Sequence, residues 1–469
     1  MTSSRSRTAP PGPLADPAAR RREQRSWYVY DWANSAFVTT VGTVLIGPYL
    51  TAVATASACP DLAEGDECTG TVALLGLFDV SPGSLVPFLI SISTVVIALL
   101  LPFVGAVADR SSRKRVLMAR FGWAGAAFAT ALFLVTGSDW ALGATLLVLA
   151  NACLAASLTV YDAILVDVAT MDERDGVSSR GWALGYLGGF LLLLVNLGIV
   201  LGAETLGLSE STAVRISLAM AGLWWAGFTL VPYLGLRDRP ATDVVGGPDR
   251  GVSGLVGGTF RQLADTFREA RNYPQTLLFL LAYVLFNDGV QTVIAVSSIY
   301  GSLELGFATD QLIIAIVVVQ AVAFGGALLF GRVARVLGAK RTILLSLVIW
   351  TVVVGTAYLL PAGEFGLFVG LAAGIGLVLG GTQALSRSLF SQLVPFGKQA
   401  EYFSLYQAAE RGTSWFGTFT FGVVQMVTGS FRLSILAVVA FFVLGGLLLL
   451  RVDVRKGITD AGNELPAVL

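Results

Sequence analysis

The sequence has no histidine, only three cysteines and few charged residues. Without histidine, the chain has no histidine metal ligand, general base or proton relay. Three cysteines are too few for a zinc or iron–sulfur cage. Charged residues make up 13% of the chain, against about 25% in soluble proteins. So few charged residues cannot cover the surface of a water-soluble enzyme of this length. The composition therefore excludes a water-soluble enzyme.

Apolar residues are abundant instead. They make up 55% of the 469 residues, and the mean hydropathy is +0.74. Nearly charge-free runs of about 20 residues, long enough to cross a bilayer as helices, recur between residues 28 and 451. The net charge is zero and the basic residues are dispersed, so nucleic-acid binding has no electrostatic footprint. The composition predicts an all-α polytopic membrane protein.

Twelve such runs are predicted, six on each side of a polar segment. They cover residues 28–53, 86–108, 115–136, 141–169, 181–203, 213–235, 275–298, 310–331, 342–361, 365–390, 402–428 and 431–451. We expect two pseudo-symmetric six-helix halves, residues 28–235 and 275–451, joined by a central loop at 236–274. The second part of this loop, TFRQLADTFREA, has helical spacing and is expected to lie along the membrane surface. Residues 1–27 and 452–469 are predicted to be tails.

The distribution of Lys and Arg predicts the orientation. With the N-terminus inside, 28 of the 31 basic residues fall on the cytoplasmic side, where membrane proteins concentrate them. The start of the chain is polar and rich in Pro and Arg, without the apolar core of a signal peptide. We therefore expect a multi-pass plasma-membrane protein with both termini in the cytoplasm.

The loop between predicted spans 1 and 2 is acidic, without Lys or Arg, and would face the exterior. Cys59 and Cys68 lie in it. An oxidising exterior would allow a disulfide between them, and two free thiols on a mobile loop are the alternative. Cys153 lies in an apolar helix and is expected to pack there.

A charged motif follows predicted span 2. It reads Gly105-Ala-Val-Ala-Asp109-Arg110-Ser-Ser-Arg113-Lys-Arg, and it resembles the G-x-x-x-D-R-x-G-R-K loop of the major facilitator superfamily, with Ser112 in place of the later glycine. Gly105 allows close helix approach. Asp109 can accept bonds from a helix N-terminus or from an arginine across the cytoplasmic face. We expect this motif to be a conformational latch, and a stop-transfer cluster is the alternative.

A degenerate second copy of the motif follows predicted span 8. Gly331 and Arg335 stand where the first copy has its glycine and its aspartate, and the basic pair Lys340 and Arg341 follows. The repeat supports a duplicated architecture.

A narrower resemblance covers most of the chain. The opening YDWANSA, Tyr30–Ala36, is similar to that of the vacuole-effluxer-like branch of the superfamily. Further similar blocks are Tyr161–Leu165, Ser179–Gly189, Asn287–Thr292, Gly380–Ser388 and Arg411–Trp415. The resemblance implies the twelve-helix major facilitator fold and a transport function. In its fungal members the branch is linked to export of amino acids from the vacuole.

Polar residues inside the predicted spans are candidates for the solute or proton pathway, because charge at mid-bilayer is costly. In predicted span 7, Asp288 and Gln291 share one helix face beside Asn287. Asp288 lies about 20 Å from the cytoplasmic end at 1.5 Å per residue, too deep to reach that surface. It is the strongest candidate for binding substrate or proton, and an interhelical hydrogen bond is the alternative.

Predicted spans 1 and 4 carry similar candidates. Asp31 and Asn34 share one face of span 1. Asp31 is either a gate residue on the cavity wall or a helix-end partner for an arginine. Tyr161 and Asp162 lie about 12 Å from the inner edge of span 4, and both are candidates for the cavity, although Asp162 can also be latched.

Further charged residues are predicted to be latches. Asp167 lies near the inner edge of span 4 and is expected to pair with Arg180 or with a basic residue of the loop between spans 2 and 3. Arg387, one turn after Gln383 in span 10, is expected to play the same part.

Predicted span 11 carries Glu410 and Arg411, with Trp415 about one turn on. The acid and base are expected to neutralise each other or partners on neighbouring spans. A clamp for a zwitterionic substrate is the alternative.

Together these features predict a secondary active transporter that moves a small polar solute, an amino acid or similar metabolite, by alternating access. No G-x-x-x-x-G-K-[ST] motif is present, so ATP is not the direct energy source. Protons are a candidate coupling ion, and we expect a monomer without cofactor or metal. A receptor or scaffold with the same fold is an alternative. A membrane-embedded enzyme is less favoured, because its catalytic motifs are absent from the sequence.

Overall fold

The computed structural model describes residues 13–61, 68–74, 76, 78–240, 268, 271–412 and 415–469, and only the backbone of residues 309, 310, 412 and 415. The predicted surface helix TFRQLADTFREA lies outside the described residues except for Arg268.

The N-terminal half is built from seven α-helices, one π-helix and a short 3-10 helix (Leu132–Leu134, after α4) within the described residues. They are α1 (Pro17–Phe37), the π-helix (Val38–Leu45), α2 (Ile46–Ala58), α3 (Pro82–Arg110), α4 (Lys114–Ala131), α5 (Trp140–Val168), α6 (Arg174–Leu201) and α7 (Glu210–Gly235). A short antiparallel hairpin, β1 (Val72–Leu74) with β2 (Phe78–Val80), precedes α3 and places Val72 opposite Val80.

The C-terminal half follows the central loop. Its helices are α8 (Pro274–Leu303), α9 (Thr309–Leu337), α10 (Ala339–Ala357), α11 (Phe365–Leu393), α12 (Gln399–Gly412), α13 (Trp415–Thr428), α14 (Phe431–Arg451) and α15 (Val454–Asp460).

Eleven helices of the described chain are long and apolar enough to cross a membrane, counting α1 to α2 as one continuous span. The remaining predicted span, residues 402–428, is covered by two consecutive helices, α12 and α13. The two halves meet along α3 with α12 and along α6 with α9 and α11. The all-α polytopic fold with two helical halves is confirmed.

The first span begins earlier than predicted, at Pro17 rather than at residue 28. The Asp16 carboxylate accepts the backbone N–H groups of Ala18 and Ala19, and Pro17 suits the first helical position. The hydropathy pattern does not reveal these turns because they are polar. Glu23, in the predicted tail, is nevertheless buried.

One end of the bundle carries the α3–α4 and α5–α6 turns and the residues after α14, and we call it the basic end. Ion pairs cluster there within the N-terminal half, with nitrogen–oxygen distances of 2.8 to 3.4 Å. They join Arg20 to Glu173, Lys114 to Asp167, Arg115 to Asp238 and Arg239 to Glu23. The opposite end carries the hairpin and the disulfide that the structure forms between Cys59 and Cys68.

Glu173, in the turn before α6, is the best connected of these acids. Burial raises its pKa, but hydrogen bonds from Arg20 and from the Thr170 N–H outweigh burial and hold the pKa below its ordinary value. Its carboxylate also accepts a bond of 3.1 Å from Gln24 Nε2. Glu173 thereby ties the start of α6 to α1.

Candidate functional site

The structure gathers two carboxylates from distant parts of the chain around Arg387. Its Nη2 lies 2.9 Å from Asp31 Oδ2, and its Nη1 lies 3.3 Å from Asp162 Oδ1. All three side chains are buried, and Arg387 is 2% exposed. Arg387 belongs to α11 of the C-terminal half, whereas both carboxylates belong to the N-terminal half. The cluster therefore joins the two halves.

Three aromatic rings complete the surroundings of this guanidinium. Its central carbon lies 4.9 Å from the ring centroid of Trp27, 5.4 Å from that of Tyr161 and 5.5 Å from that of Trp182. These distances are within the range of a cation–π contact. We call Trp27, Asp31, Tyr161, Asp162 and Trp182 the cage.

The cage is held together by its own hydrogen bonds. Tyr161 Oη donates to Asp31 Oδ2 over 2.8 Å, and Trp27 Nε1 donates to the Tyr161 carbonyl over 3.0 Å. Ser178 of α6 accepts from Arg387 twice, through its hydroxyl at 2.9 Å and its carbonyl at 3.1 Å. The guanidinium is thus fully engaged by groups of the N-terminal half.

Gly181 of α6 makes room for the cluster. A Cβ at this position would clash with Asp31 Oδ2 and lie 3.1 Å from Arg387 Nη2. Only glycine lets α6 come this close to the ion pair.

Near the cage, α6 and α11 share further polar contacts. Arg174 Nη1 donates to the Ser391 carbonyl over 2.8 Å, and the Ser388 hydroxyl donates to Asp175 Oδ1 over 2.5 Å. Each joins one half to the other at the basic end.

The charged motif after α3 makes a contact of another kind. Asp109 accepts the backbone N–H groups of Ala400 and Glu401, at 2.9 and 2.8 Å, and so caps the N-terminus of α12. Of the two partners expected for Asp109, a helix N-terminus and an arginine, the structure forms the first. Arg110 and Arg113 of the same motif are exposed.

Asp167 and Arg180 do not pair with each other in the structure. Lys114 Nζ lies 3.4 Å from Asp167 Oδ2, so the partner is the basic residue from the loop between spans 2 and 3. Arg180 Nη1 instead donates to Tyr28 Oη over 3.4 Å.

Deeper in the C-terminal half lies a second polar group around α8. Asn287 Oδ1 accepts from Gln383 Nε2 over 3.0 Å, and Asn287 Nδ2 donates to the Glu410 carbonyl over 3.3 Å. Asp288 is buried, and its Oδ1 has no hydrogen-bond partner among the described residues. Gln291 is half-buried.

The other predicted residues lie outside these two polar groups. Asn34 is buried and donates to the Tyr30 carbonyl of its own helix. Glu410 and Arg411 are half-buried, and the Arg411 carbonyl accepts from Thr94 Oγ over 3.4 Å. The side chain of Trp415 lies outside the described residues.

Two residues of the cage and one neighbour of it are not predicted from the sequence. The polar turns around Trp27 resemble a tail, and Trp182 lies in the block Ser179–Gly189 without a pattern of its own. Gln407, whose Nε2 donates to Asp162 Oδ2 over 2.8 Å, gave no signal in the sequence. The glycine-rich run of α6 beside aromatic residues could have indicated close packing around Trp182.

Comparison with known proteins agrees with this architecture. Residues 19–462 match the model of a family described as Vacuole effluxer Atg22 like. The chain is 29% identical to the uncharacterized MFS-type transporter YxiO of Bacillus subtilis, over 95% of this chain and 98% of that protein. It is 25% identical to autophagy-related protein 22-2 of Emericella nidulans, over 94% of this chain and 92% of the relative.

Solved structures show the same fold at low identity. The proton:xylose symporter XylE aligns with a TM-score of 0.66 at 14% identity, covering 92% of this chain and 96% of that one. A bacterial homologue of the iron transporter ferroportin, in an outward-facing state, aligns with a TM-score of 0.62 at 12% identity, covering 92% and 98%.

Proposed function

Because this chain belongs to the Atg22-like vacuole effluxer family of major facilitator transporters, we propose that it carries an amino acid or similar small polar metabolite across the plasma membrane. It is a secondary transporter, as its family implies. In this proposal the two halves rock about a site between them, and both chain ends face the cytoplasm.

The observation that carries the proposal is the position of the polar bonds between the halves. The bonds of Arg387, Asp109 and Asp175 each cross from one half to the other at the basic end. Bonds of this kind stabilise a conformation closed at that end and must break when the halves separate there. They are what a two-state transporter needs.

Asp288 is the proposed site for the coupling proton or a charged solute group. It is buried on α8, and Oδ1 is free of hydrogen bonds within the described part of the chain. A buried carboxylate with one oxygen left without a hydrogen bond is costly as an anion. Protonation or a cationic group of the solute would remove that cost.

The test is transport by the full-length protein in proteoliposomes, with radiolabelled neutral, acidic and basic amino acids, with and without a proton gradient. We expect saturable uptake and counterflow of at least one of them. Absence of both for the whole panel, with correctly folded protein, would contradict the proposal.

Asp288→Asn separates the two roles of this residue. If Asp288 carries the proton, accumulation driven by the gradient is lost and counterflow remains, because exchange tolerates a permanently neutral side chain. If it pairs with a substrate cation, both are lost. The matched control is Asp139→Asn, an exposed acid just before α5. A well-expressed Asp288→Asn protein with normal uptake and exchange would show that the residue only packs helices, and Asp162 would replace it as candidate.

A further inference from the structure

The cage and the cation inside it come from different halves of the protein. Its aromatic rings and both carboxylates come from α1, α5 and α6 of the N-terminal half, and the cation inside it comes from α11 of the C-terminal half. Arg387 therefore occupies a binding site for a guanidinium that the N-terminal half supplies entirely.

Separation of the halves at the basic end would remove this cation. Ser178 would lose the Arg387 bonds, and Gln407, which belongs to α12, would leave Asp162. Two carboxylates and three aromatic faces would remain on the N-terminal half. Arg387 lies six residues before the end of α11, about 9 Å along the helix, so the vacated cage would open to the basic end.

We propose that, in the state open at the basic end, the cage binds an organic cation with a planar guanidinium head in the place of Arg387. This proposal rests on the proposed transport cycle and narrows the solute to a class. The bound cation and Arg387 compete for one site, so the cation favours the open state.

The aromatic faces distinguish this ligand from a proton. A proton could neutralise Asp31 or Asp162, but it gains nothing from the rings of Trp27, Tyr161 and Trp182. A planar delocalised cation gains from the rings through cation–π contact and from the carboxylates through paired hydrogen bonds. The fit of Arg387 itself shows that the cage accommodates this shape.

The first experiment empties the cage by Arg387→Ala and adds guanidinium chloride at millimolar concentration to the purified protein. We expect the thermal midpoint to rise by about 2–4 °C, as binding to the folded state requires. Urea, a neutral molecule of the same shape, is expected to give no rise. The control variant is Arg332→Ala, which removes an exposed arginine of α9.

Three results would overturn the proposal. One is an Arg387→Ala protein that guanidinium does not stabilise. Another is equal stabilisation of Arg332→Ala. The third is stabilisation of Arg387→Ala by acidic pH alone, with nothing added by guanidinium, because the cage then takes protons.

A second measurement keeps Arg387 in place, in case its removal prevents folding. Ser391→Cys is introduced into α11 on a Cys153→Ser background, at a buried position whose carbonyl contacts Arg174. Agmatine, a guanidinium-bearing amine, should hold the halves apart and speed alkylation of this cysteine roughly tenfold. Trp182→Leu should abolish the effect. Alkylation that agmatine leaves unchanged would refute the proposal.

The outcomes separate this proposal from the transport function. Guanidinium binding without transport of any solute would support the proposed cation site and contradict the proposed transport function. Transport of a neutral solute, together with no guanidinium effect in either experiment, would reject the cage alone.

Discussion

The contact between α3 and α12 can be compared with the contact between α9 and α6, because each starts from one copy of the repeated motif. In both copies a glycine lets the halves touch. A Cβ on Gly105 would lie 2.7 Å from the Ala400 carbonyl oxygen, and one on Gly331 would lie 2.5 Å from the Ser179 side chain. The close approach is shared by both copies.

The charged position four residues later has diverged. Asp109 caps the N-terminus of α12, whereas Arg335 in the second copy is exposed. Near the second copy, the carboxylate lies on α6 and not on α9, the helix that carries the motif. It is Asp175, which accepts a hydrogen bond from Ser388 of α11. The comparison teaches that the repeat retained a steric requirement and redistributed its polar contacts.

The largest effect is expected for the two glycines. Gly105→Ala and Gly331→Ala should each lower the free energy of unfolding by about 1–3 kcal/mol through overpacking, measured by unfolding in detergent. Ser179→Gly should rescue Gly331→Ala, since it removes the side chain that the new methyl group meets. Gly105→Ala has no such rescue, because it meets the backbone of Ala400.

The matched control for these substitutions is Gly325→Ala on α9, where a Cβ would meet nothing within 4 Å. A Gly325→Ala protein as unstable as the Gly331→Ala protein, or a failed rescue by Ser179→Gly, would disprove the steric account.

Asp109 should have the next largest effect. Asp109→Ala leaves two N–H groups of α12 uncapped and should cost about 0.5–2 kcal/mol. Asp109→Asn keeps an acceptor but loses the charge, and should slow transport with little change in KM. Asp460→Asn, an exposed acid at the same end, is the control. A large rise in KM for Asp109→Asn would place Asp109 in solute binding instead.

Glu173 contacts the start of α6 and not the contact between α3 and α12, and its substitution should have only a small effect on stability. Its pKa lies below the ordinary value in the folded protein, so its contribution exists above the ordinary pKa and is lost as the pH falls through the lowered one. Glu173→Gln should therefore destabilise the protein by less than about 1 kcal/mol at neutral pH. The difference from wild type should shrink as the pH falls below the ordinary glutamate pKa and vanish below the lowered one, as thermal midpoints across pH would show. A difference that grows in acid would contradict this.

The smallest effect is expected for Arg335→Asp, which restores the acidic residue of the first copy. Because Arg335 is exposed and Asp175 already serves the α6–α11 contact, stability should change by no more than about 0.5 kcal/mol. A stabilisation comparable to the loss in Asp109→Ala would mean that the second copy still has an uncapped helix within reach.

The sequence alone determined the helices, their division into two halves and the motif around Gly105 and Asp109. These features depend on local patterns: a bilayer needs a set length of apolar helix, and the motif places a small and a charged residue at a set spacing on one helix. The same local patterns failed at Trp27, whose polar helical turns resemble a tail.

Only the tertiary structure decided which polar residues meet. The sequence offers Asp31 as a gate residue or as a helix-end partner for an arginine without identifying that arginine, and the structure pairs it with Arg387, 356 positions away in the chain. Helical spacing tells which residues share a face, but the partner of that face depends on how the helices of the two halves pack. Trp27, Tyr161 and Trp182 of the cage surround one cation only because these helices pack together, and no single segment of the sequence shows that arrangement.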